Sequence, residues 1–214
     1  MSQRVVIPEL LDYLPGSHPD AQRSRQDLRR INALMGNERW IFRTIRRFHQ
    51  TAERGIVEIG AGDGMLCQKL ARQFPTTRVD AYDLSAAPEG LDPMVRWHQG
   101  DLFTQAPPKP GGVLIANLFL HHFEQNSLAA LGGWVAQSEV LIFNEPDRSS
   151  LPHFLATLMH PWINHVTRHD MHVSIDGGFS TAELPRLLQL DPACWNFRET
   201  STWRGARRVV GLRN

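Results

Sequence analysis

The sequence predicts a doubly wound α/β fold: a seven-stranded, mostly parallel sheet with helices on both faces, preceded by two N-terminal helices. Three observations predict it. From Gly55 onward, strand-like apolar runs alternate with helical ones, as crossover connections between parallel strands require. Acids stand at or just after the ends of three successive runs, at Glu58, Asp83 and Asp101. Between the first run and the next helix, glycines recur at 60, 62 and 64, where a tight strand-to-helix turn excludes side chains. A chain of 214 residues accommodates one such domain of roughly 100 to 200 residues and a short extension.

The elements follow in order. Residues 1–50 are expected to form a helical cap. Leu28, Ile31, Leu34 and Met35 mark one helix face, with Gly36 as its C-cap. Asn37 is expected to cap a second helix carrying Trp40, Ile41, Ile45 and Phe48 at helical spacing, with arginines between them. The sheet domain is expected over 51–214. Its strands are Ile56 to Ile59, Val79 to Asp83, Val95 to Gln99, Val113 to Ala116, Val140 to Phe143, and a closing pair near Trp195 to Thr200 and Arg207 to Leu212. Met65 to Gln73 reads as the first crossover helix. Ser85 to Pro93 and Pro107 to Gly112 hold too much Pro and Gly for a full helix, so short connections are expected there. An insertion over about 148–180 reads as a lid.

The net charge of +1 gives no general argument for a polyanionic partner or a membrane surface. Residues 1–54 nevertheless hold ten arginines against six acids. The basic excess is local, and a solvated helix face explains it more simply than an anionic acceptor or an acyl carrier does. Cys67 and Cys194 are too few and too far apart for a metal knuckle or a disulfide framework; both are expected as buried thiols. The N-terminus shows no basic segment leading into an apolar core, and no apolar run approaches the ~18 residues of a membrane span. A soluble, cytoplasmic protein is expected.

The stretch Val57-Glu58-Ile59-Gly60-Ala61-Gly62-Asp63-Gly64 carries the most functional information. A dinucleotide fingerprint spaces its glycines Gly-x-Gly-x-x-Gly, whereas Met65 stands here where the third would fall. The Glu-x-Gly-x-Gly-x-Gly register resembles the first motif of the class I S-adenosylmethionine (SAM) dependent methyltransferases, whose fold is Rossmann-like. That resemblance covers residues 55–147 well and the remainder by general plan. It implies SAM as cofactor, with Gly60, Ala61, Gly62 and Gly64 cradling it and Glu58 holding its methionine end. The helix from Met65 would offer its N-terminal amides to a carboxylate. Asp83 would accept from the ribose hydroxyls, Leu84 would cover the adenine, and Asp101 would read the exocyclic amine beside a backbone N–H near Leu102. Asn117, after the fourth strand, would face the cofactor. An isolated Asp at 101 would otherwise be read as a turn former or helix cap.

The run Asn117-Leu118-Phe119-Leu120-His121-His122-Phe123 resembles the corresponding segment of small-molecule methyltransferases, and the signatures of DNA-base enzymes are missing. A phenolic oxygen with a pKa near ~10 needs a base, and histidine suits that task near neutrality. His121 and His122 are candidates; so is His169 in Arg168-His169-Asp170, a segment similar to one in polyketide- and quinone-tailoring methyltransferases. For each, a packed, hydrogen-bonded structural histidine is the competing reading. His153, His160, His165, His169 and His172 form no metal-ligand motif with an attendant acid, and Asn117, Asn144 and Glu145 match metal-dependent relatives only loosely, so no required metal is expected. The leading expectation is methyl transfer to a phenolic, quinol or polyketide-like oxygen of a small molecule. Nucleic-acid and membrane partners are not expected; an acyl carrier or a second copy of the chain is kept as a partner. The alternatives are an NAD-dependent oxidoreductase, a non-catalytic SAM-binding scaffold, and a protein or RNA methyltransferase.

Overall fold

Four consecutive buried residues, Ile56–Ile59, form β1, and their burial on both faces places this strand at the middle of the sheet. The computed structural model describes residues 3–109 and 111–214; within the second proline-rich connection, Pro110 lies outside the described residues. The strands β1 (Ile56–Ile59), β2 (Val79–Asp83), β3 (Val95–Gln99), β4 (Val113–Asn117), β5 (Val140–Pro146), β6 (Trp195–Ser201) and β7 (Ala206–Arg213) form one sheet in the order β3-β2-β1-β4-β5-β7-β6. The first five are parallel, and β7 pairs antiparallel with both β5 and β6. Strand order reverses direction between β1 and β4, the switch point at whose strand ends such sheets bind ligands.

The helices are α1 (Pro19–Met35), α2 (Asn37–Arg47), α3 (His49–Ala52), α4 (Met65–Gln73), α5 (Gln125–Val135), α6 (Ser150–Met159), α7 (His165–Asp176) and α8 (Glu183–Leu187). Two apolar clusters fill the two faces of the sheet. One is centred on Leu114, Leu141, Phe143 and Phe179, the other on Ile41, Ile45, Leu70 and Ile115. Among the described residues, connections β2–β3 and β3–β4 carry nothing longer than the 3-10 turn Leu102–Thr104. The prolines there remove the amide donors that a crossover helix would need.

Several expectations need correction. Gly36, at φ 69°, ends α1 and itself precedes α2; Asn37 is the first residue of α2 and caps nothing, its amide donating instead to Asn32 Oδ1 at 3.2 Å. The buried face of α1 is Ala21, Ser24, Asp27 and Ile31, whereas Leu34 is exposed. Polar Ser24 and Asp27 are tolerated inside because α7 supplies partners: Thr167 Oγ1 donates to Ser24 Oγ at 3.1 Å, and Asn164 N donates to Asp27 Oδ2 at 3.0 Å. Cys67 is buried but Cys194 is exposed. Among the described residues no helix is long and apolar enough to cross a membrane.

Candidate active site

The loop after β1 turns through three left-handed residues, Gly60, Gly62 and Gly64, at φ 70°, 55° and 69°, which explains the alternate spacing. The N–H groups of Gly60 and Ala61 donate to Tyr82 O at 2.9 and 3.1 Å, stitching the loop to the end of β2. A Cβ on Gly60 would lie 2.1 Å from the Phe119 ring, and one on Gly64 would meet Leu91 at 3.1 Å. At those two positions the loop is bare for protein packing. Above Gly62 there is open space within 4 Å, so this glycine leaves backbone accessible to a ligand.

Two of the strand-tip acids, Glu58 and Asp83, border this loop. Asp83 accepts from Gly62 N and Ser85 N, each at 2.8 Å, through different carboxylate oxygens. Each oxygen keeps a lone pair for a further donor. Glu58 is buried and accepts from the Cys67 thiol at 2.7 Å. Burial, reinforced by the charges of Asp63, Asp83 and Glu38, pushes its pKa up to about 8 despite that hydrogen bond. Burial and the Glu58 charge push the thiol up as well, so Cys67 is a proton donor here rather than a nucleophile. Asp101 caps the 3-10 turn Leu102–Thr104, accepting from Phe103 N at 3.0 Å, and Leu102 is packed in the core. Leu84, following β2, and Phe103, in the turn after β3, are both exposed. Of the α4 amides, that of Met65 is occupied, donating to Asp63 Oδ1 at 3.2 Å. The N-terminal helices reach the loop through Arg29–Asp63 at 3.8 Å and the helix after it, α4, through Lys69–Glu38 at 2.6 Å.

A second group lies at the tips of β4 and β5. Leu118, at φ 54°, turns the chain sharply after β4. Asn144 donates to Asn117 Oδ1 at 2.9 Å, an amide pairing that leaves the Asn117 amino group directed elsewhere. Glu145, buried at the tip of β5, gathers the following turn. Its Oε1 accepts from Phe119 N and Leu120 N at 3.1 and 2.9 Å, and its Oε2 accepts from the His121 ring Nδ1 at 2.8 Å. His121 is buried, with its other ring nitrogen 3.7 Å from Glu9 Oε1. Burial alone would lower its pKa, but Glu145 and Glu9 outweigh it and push it up to about 9. His122, alongside, is held below the usual histidine range by burial and then by the His121 charge.

The structure thus brings Glu58, Gly62 and Asp83 together around the glycine turn, and His121 and His122 together after β4. His169 lies on α7, its Nδ1 3.0 Å from Asp170 Oδ1; among the described residues no hydrogen bond or ion pair joins it to His121 or His122. Asp170 itself is occupied by Leu10 N and Leu11 N at 2.8 and 3.0 Å, anchoring the 3-10 turn Leu10–Tyr13. Sequence reasoning missed Glu9 and assigned Glu145 only a loose metal resemblance. An acid ending an apolar strand was the available signal for Glu145, as it was for Glu58; Glu9 has no comparable local pattern. Glu9, His121 and His122 each bring a nitrogen or oxygen within 4.8 Å of the others, a grouping of the kind that holds metal ions. Both His121 nitrogens, however, already face carboxylates, and a proton meets that need.

The family model of the O-methyltransferase domain matches residues 20–137, more than half of the chain. An uncharacterized methyltransferase of Mycobacterium tuberculosis is 32% identical over 93 residues, covering 40% of this chain and 47% of that protein. A malonyl-[acyl-carrier protein] O-methyltransferase of Halalkalibacterium halodurans is 29% identical over 112 residues, covering 46% and 41%. The matched region therefore spans about half the length of these curated relatives. The fold is similar throughout to that of the plantazolicin methyltransferase BamL, solved with a triazolic desmethylPZN analog and SAH, at a TM-score of 0.73, 13% identity and coverage of 93% and 92%. With the glycine turn, the acid tips and the sheet order in place, the chain belongs to the O-methyltransferase domain family and has the class I methyltransferase fold.

Proposed function

We propose that this protein is a SAM-dependent methyltransferase acting on an oxygen of a small phenolic, quinol or polyketide-like acceptor. One observation carries the cofactor reading: a buried carboxylate, Glu58, stands among further acids beside a glycine turn whose centre is open. Such a site favours a ligand with cationic groups at one end and hydroxyl donors at the other, which suits SAM. Glu58 would hold the ammonium end, Asp83 the ribose hydroxyls, Asp101 with the backbone at Leu102 the adenine, and Leu84 its face; Gly60, Ala61, Gly62, Gly64 and Asn117 complete the cradle. When bound, SAM would supply an electrophilic methyl carbon on a sulfonium whose sulfur is a good leaving group, departing as a neutral thioether.

The chain's own part is to orient the acceptor, exclude water and remove a proton. His122 is the proposed proton acceptor, because its environment favours the uncharged imidazole. The proton passes from the acceptor hydroxyl to a ring nitrogen, leaving an oxyanion to form the new C–O bond. His169 is the competing base, and comparing His122→Gln with His169→Gln separates the two. The family description as an O-methyltransferase domain supports oxygen as the acceptor atom. A carrier-borne acceptor is the second reading, supported by the similarity to the malonyl-carrier enzyme and by the arginine excess before residue 55.

Calorimetry with SAM, SAH and NAD tests the cofactor directly. Asp83→Ala removes a charged hydrogen-bonding partner, so it should weaken SAM binding by ~1.5 to 3 kcal/mol, about ten- to a hundredfold. Heat with NAD alone, or unchanged SAM affinity in Asp83→Ala, would reject this assignment. Mass spectrometry of a phenol and carrier-thioester panel then reads the acceptor as a gain of one methyl group.

A further inference from the structure

Two arginines from the end of the chain meet one from α2 at the point where α1 stops. Arg204, in the turn between β6 and β7, donates to Leu34 O at 2.6 Å. Arg208, on β7, donates to Met35 O and Gly36 O at 3.1 and 3.4 Å. The two guanidiniums thus stand side by side on consecutive carbonyls of one helix end. Each also lies over an indole, Arg204 at 4.8 Å from the Trp203 ring centre and Arg208 at 5.2 Å from that of Trp40. Arg43 follows Trp40 by three residues on α2, the neighbouring position on that helix face, and its charge acts on Arg208 together with that of Arg204. Among the described residues no carboxylate pairs with any of the three. Arg207, next along β7, gives the contrast, since it meets Asp147 and Glu199; Glu38, the acid of α2, is taken by Lys69.

The α1 carbonyls do not neutralise this group, because a helix C-terminus offers only about half a negative charge against three full positive ones. Donors also remain to be used: Nη1 of Arg208, Nε and Nη2 of Arg204 and the whole Arg43 guanidinium make no hydrogen bond among the described residues. The cluster is joined to the candidate active site. Arg208 Nε reaches Asn144 Oδ1 at 3.4 Å, and the Asn144 amide donates to Asn117 Oδ1 at 2.9 Å, the two asparagines facing each other at the ends of β5 and β4. We propose that Arg43, Arg204 and Arg208 form an anion subsite that binds a carboxylate or phosphate belonging to the methyl acceptor. That the anion is part of the acceptor rests on the methyltransferase reading above; the anion binding does not. Planar guanidinium forks match the paired oxygens of either group. Trp203 and Leu34, exposed beside them, suit the apolar skeleton that carries the charge. The acceptor is accordingly an acid, either a free carboxylate or the phosphodiester arm of a carrier.

Nuclear magnetic resonance of the full chain, labelled at the indole nitrogens, reads this binding without turnover, because Trp40 and Trp203 lie against Arg208 and Arg204. Trp40→Phe and Trp203→Phe assign the two signals. Para-hydroxybenzoate probes the free carboxylate, phosphopantetheine probes the carrier arm, and the neutral methyl ester of para-hydroxybenzoate, at equal ionic strength, reports apolar contact alone. An anion should move both signals and the ester neither. Arg43→Gln and Arg204→Gln should each weaken anion binding about two- to fivefold, as the loss of an exposed ion pair does, and added salt should weaken it further. Arg72→Gln, exposed on α4, should leave it unchanged. Arg208→Gln should cost more, but it also strips a donor from the end of α1, so the two exposed arginines decide. In turnover, the same substitutions should raise KM for an acidic acceptor while kcat and the KM of its ester stay in place. A response to phosphopantetheine alone assigns the subsite to a carrier-borne acceptor, and a response to para-hydroxybenzoate alone assigns it to a free acid. Unmoved indoles with both anions, equal shifts with acid and ester, or affinities unchanged in both Arg43→Gln and Arg204→Gln would overturn the proposal. Failure of the methyltransferase reading would register separately, as absent SAM binding in calorimetry.

Discussion

Glu58 carries the sharpest consequence of a single side chain in this fold. With its pKa at about 8, it holds a proton at neutral pH, and a cationic ligand group can pair with it only after that proton leaves. SAM binding is therefore expected to release a proton below about pH 8, and affinity should rise with pH across that window. Calorimetric titration in two buffers of different ionisation enthalpy reads the release directly, and Glu58→Gln should abolish it. Equal heats in both buffers would remove Glu58 from the ligand site. Glu58 and Asp83 were readable in the sequence because an acid ending an apolar strand is a local pattern. The His121 environment was not, since Glu9 reaches it from a distant segment with no motif of its own.

The glycine turn shows how one short element serves two purposes. Gly60 is needed because Phe119 packs against it, so Gly60→Ala should disrupt the turn itself. Gly62→Ala meets nothing within 4 Å and suffers only the left-handed strain at φ 55°, ~1 to 2 kcal/mol. The fold should survive Gly62→Ala with a Tm lowered by several degrees, while SAM affinity falls more steeply because the new methyl stands in the open space. Tm and affinity measured on both variants test this division; a Gly62→Ala protein that binds SAM normally would place the ligand elsewhere. All seven strands were legible to within about three residues, since short runs of strand-forming residues bounded by Gly, Pro and acids mark strands whatever surrounds them. The packing of α1 was less legible. Ser24 and Asp27 face inward only because Thr167 and Asn164 on the α7 side receive them, and no helical periodicity of apolar residues records that.

Across the whole molecule, the N-terminal segment, α1 and α7 are joined by buried polar contacts as much as by apolar ones. Arg4 binds Gly177 O and His121 O, Asp170 anchors Leu10 and Leu11, and Glu9 meets Ser174 and His121. Such a network makes stability sensitive to pH. His121, raised to about 9 from 6.5, contributes stability that is complete below pH 6.5 and is lost as pH rises through about 9. Glu58, raised to about 8 from 4.5, acts in the same direction: the folded state retains a proton that the unfolded chain has released, so stability falls between those values. His122 has the opposite sign, but its lowered pKa confines its effect to pH below 6.5. Above neutrality the first two operate, joined toward pH 9 by the Cys67 thiol, whose raised pKa acts in the same direction, and the Tm of the ligand-free protein should decline from pH 7 to about 9. Glu58→Gln should flatten the part of that decline below pH 8, and His121→Asn the part nearer 9. A wild-type Tm that holds constant or rises across this range would show that neither group retains its proton in the folded chain.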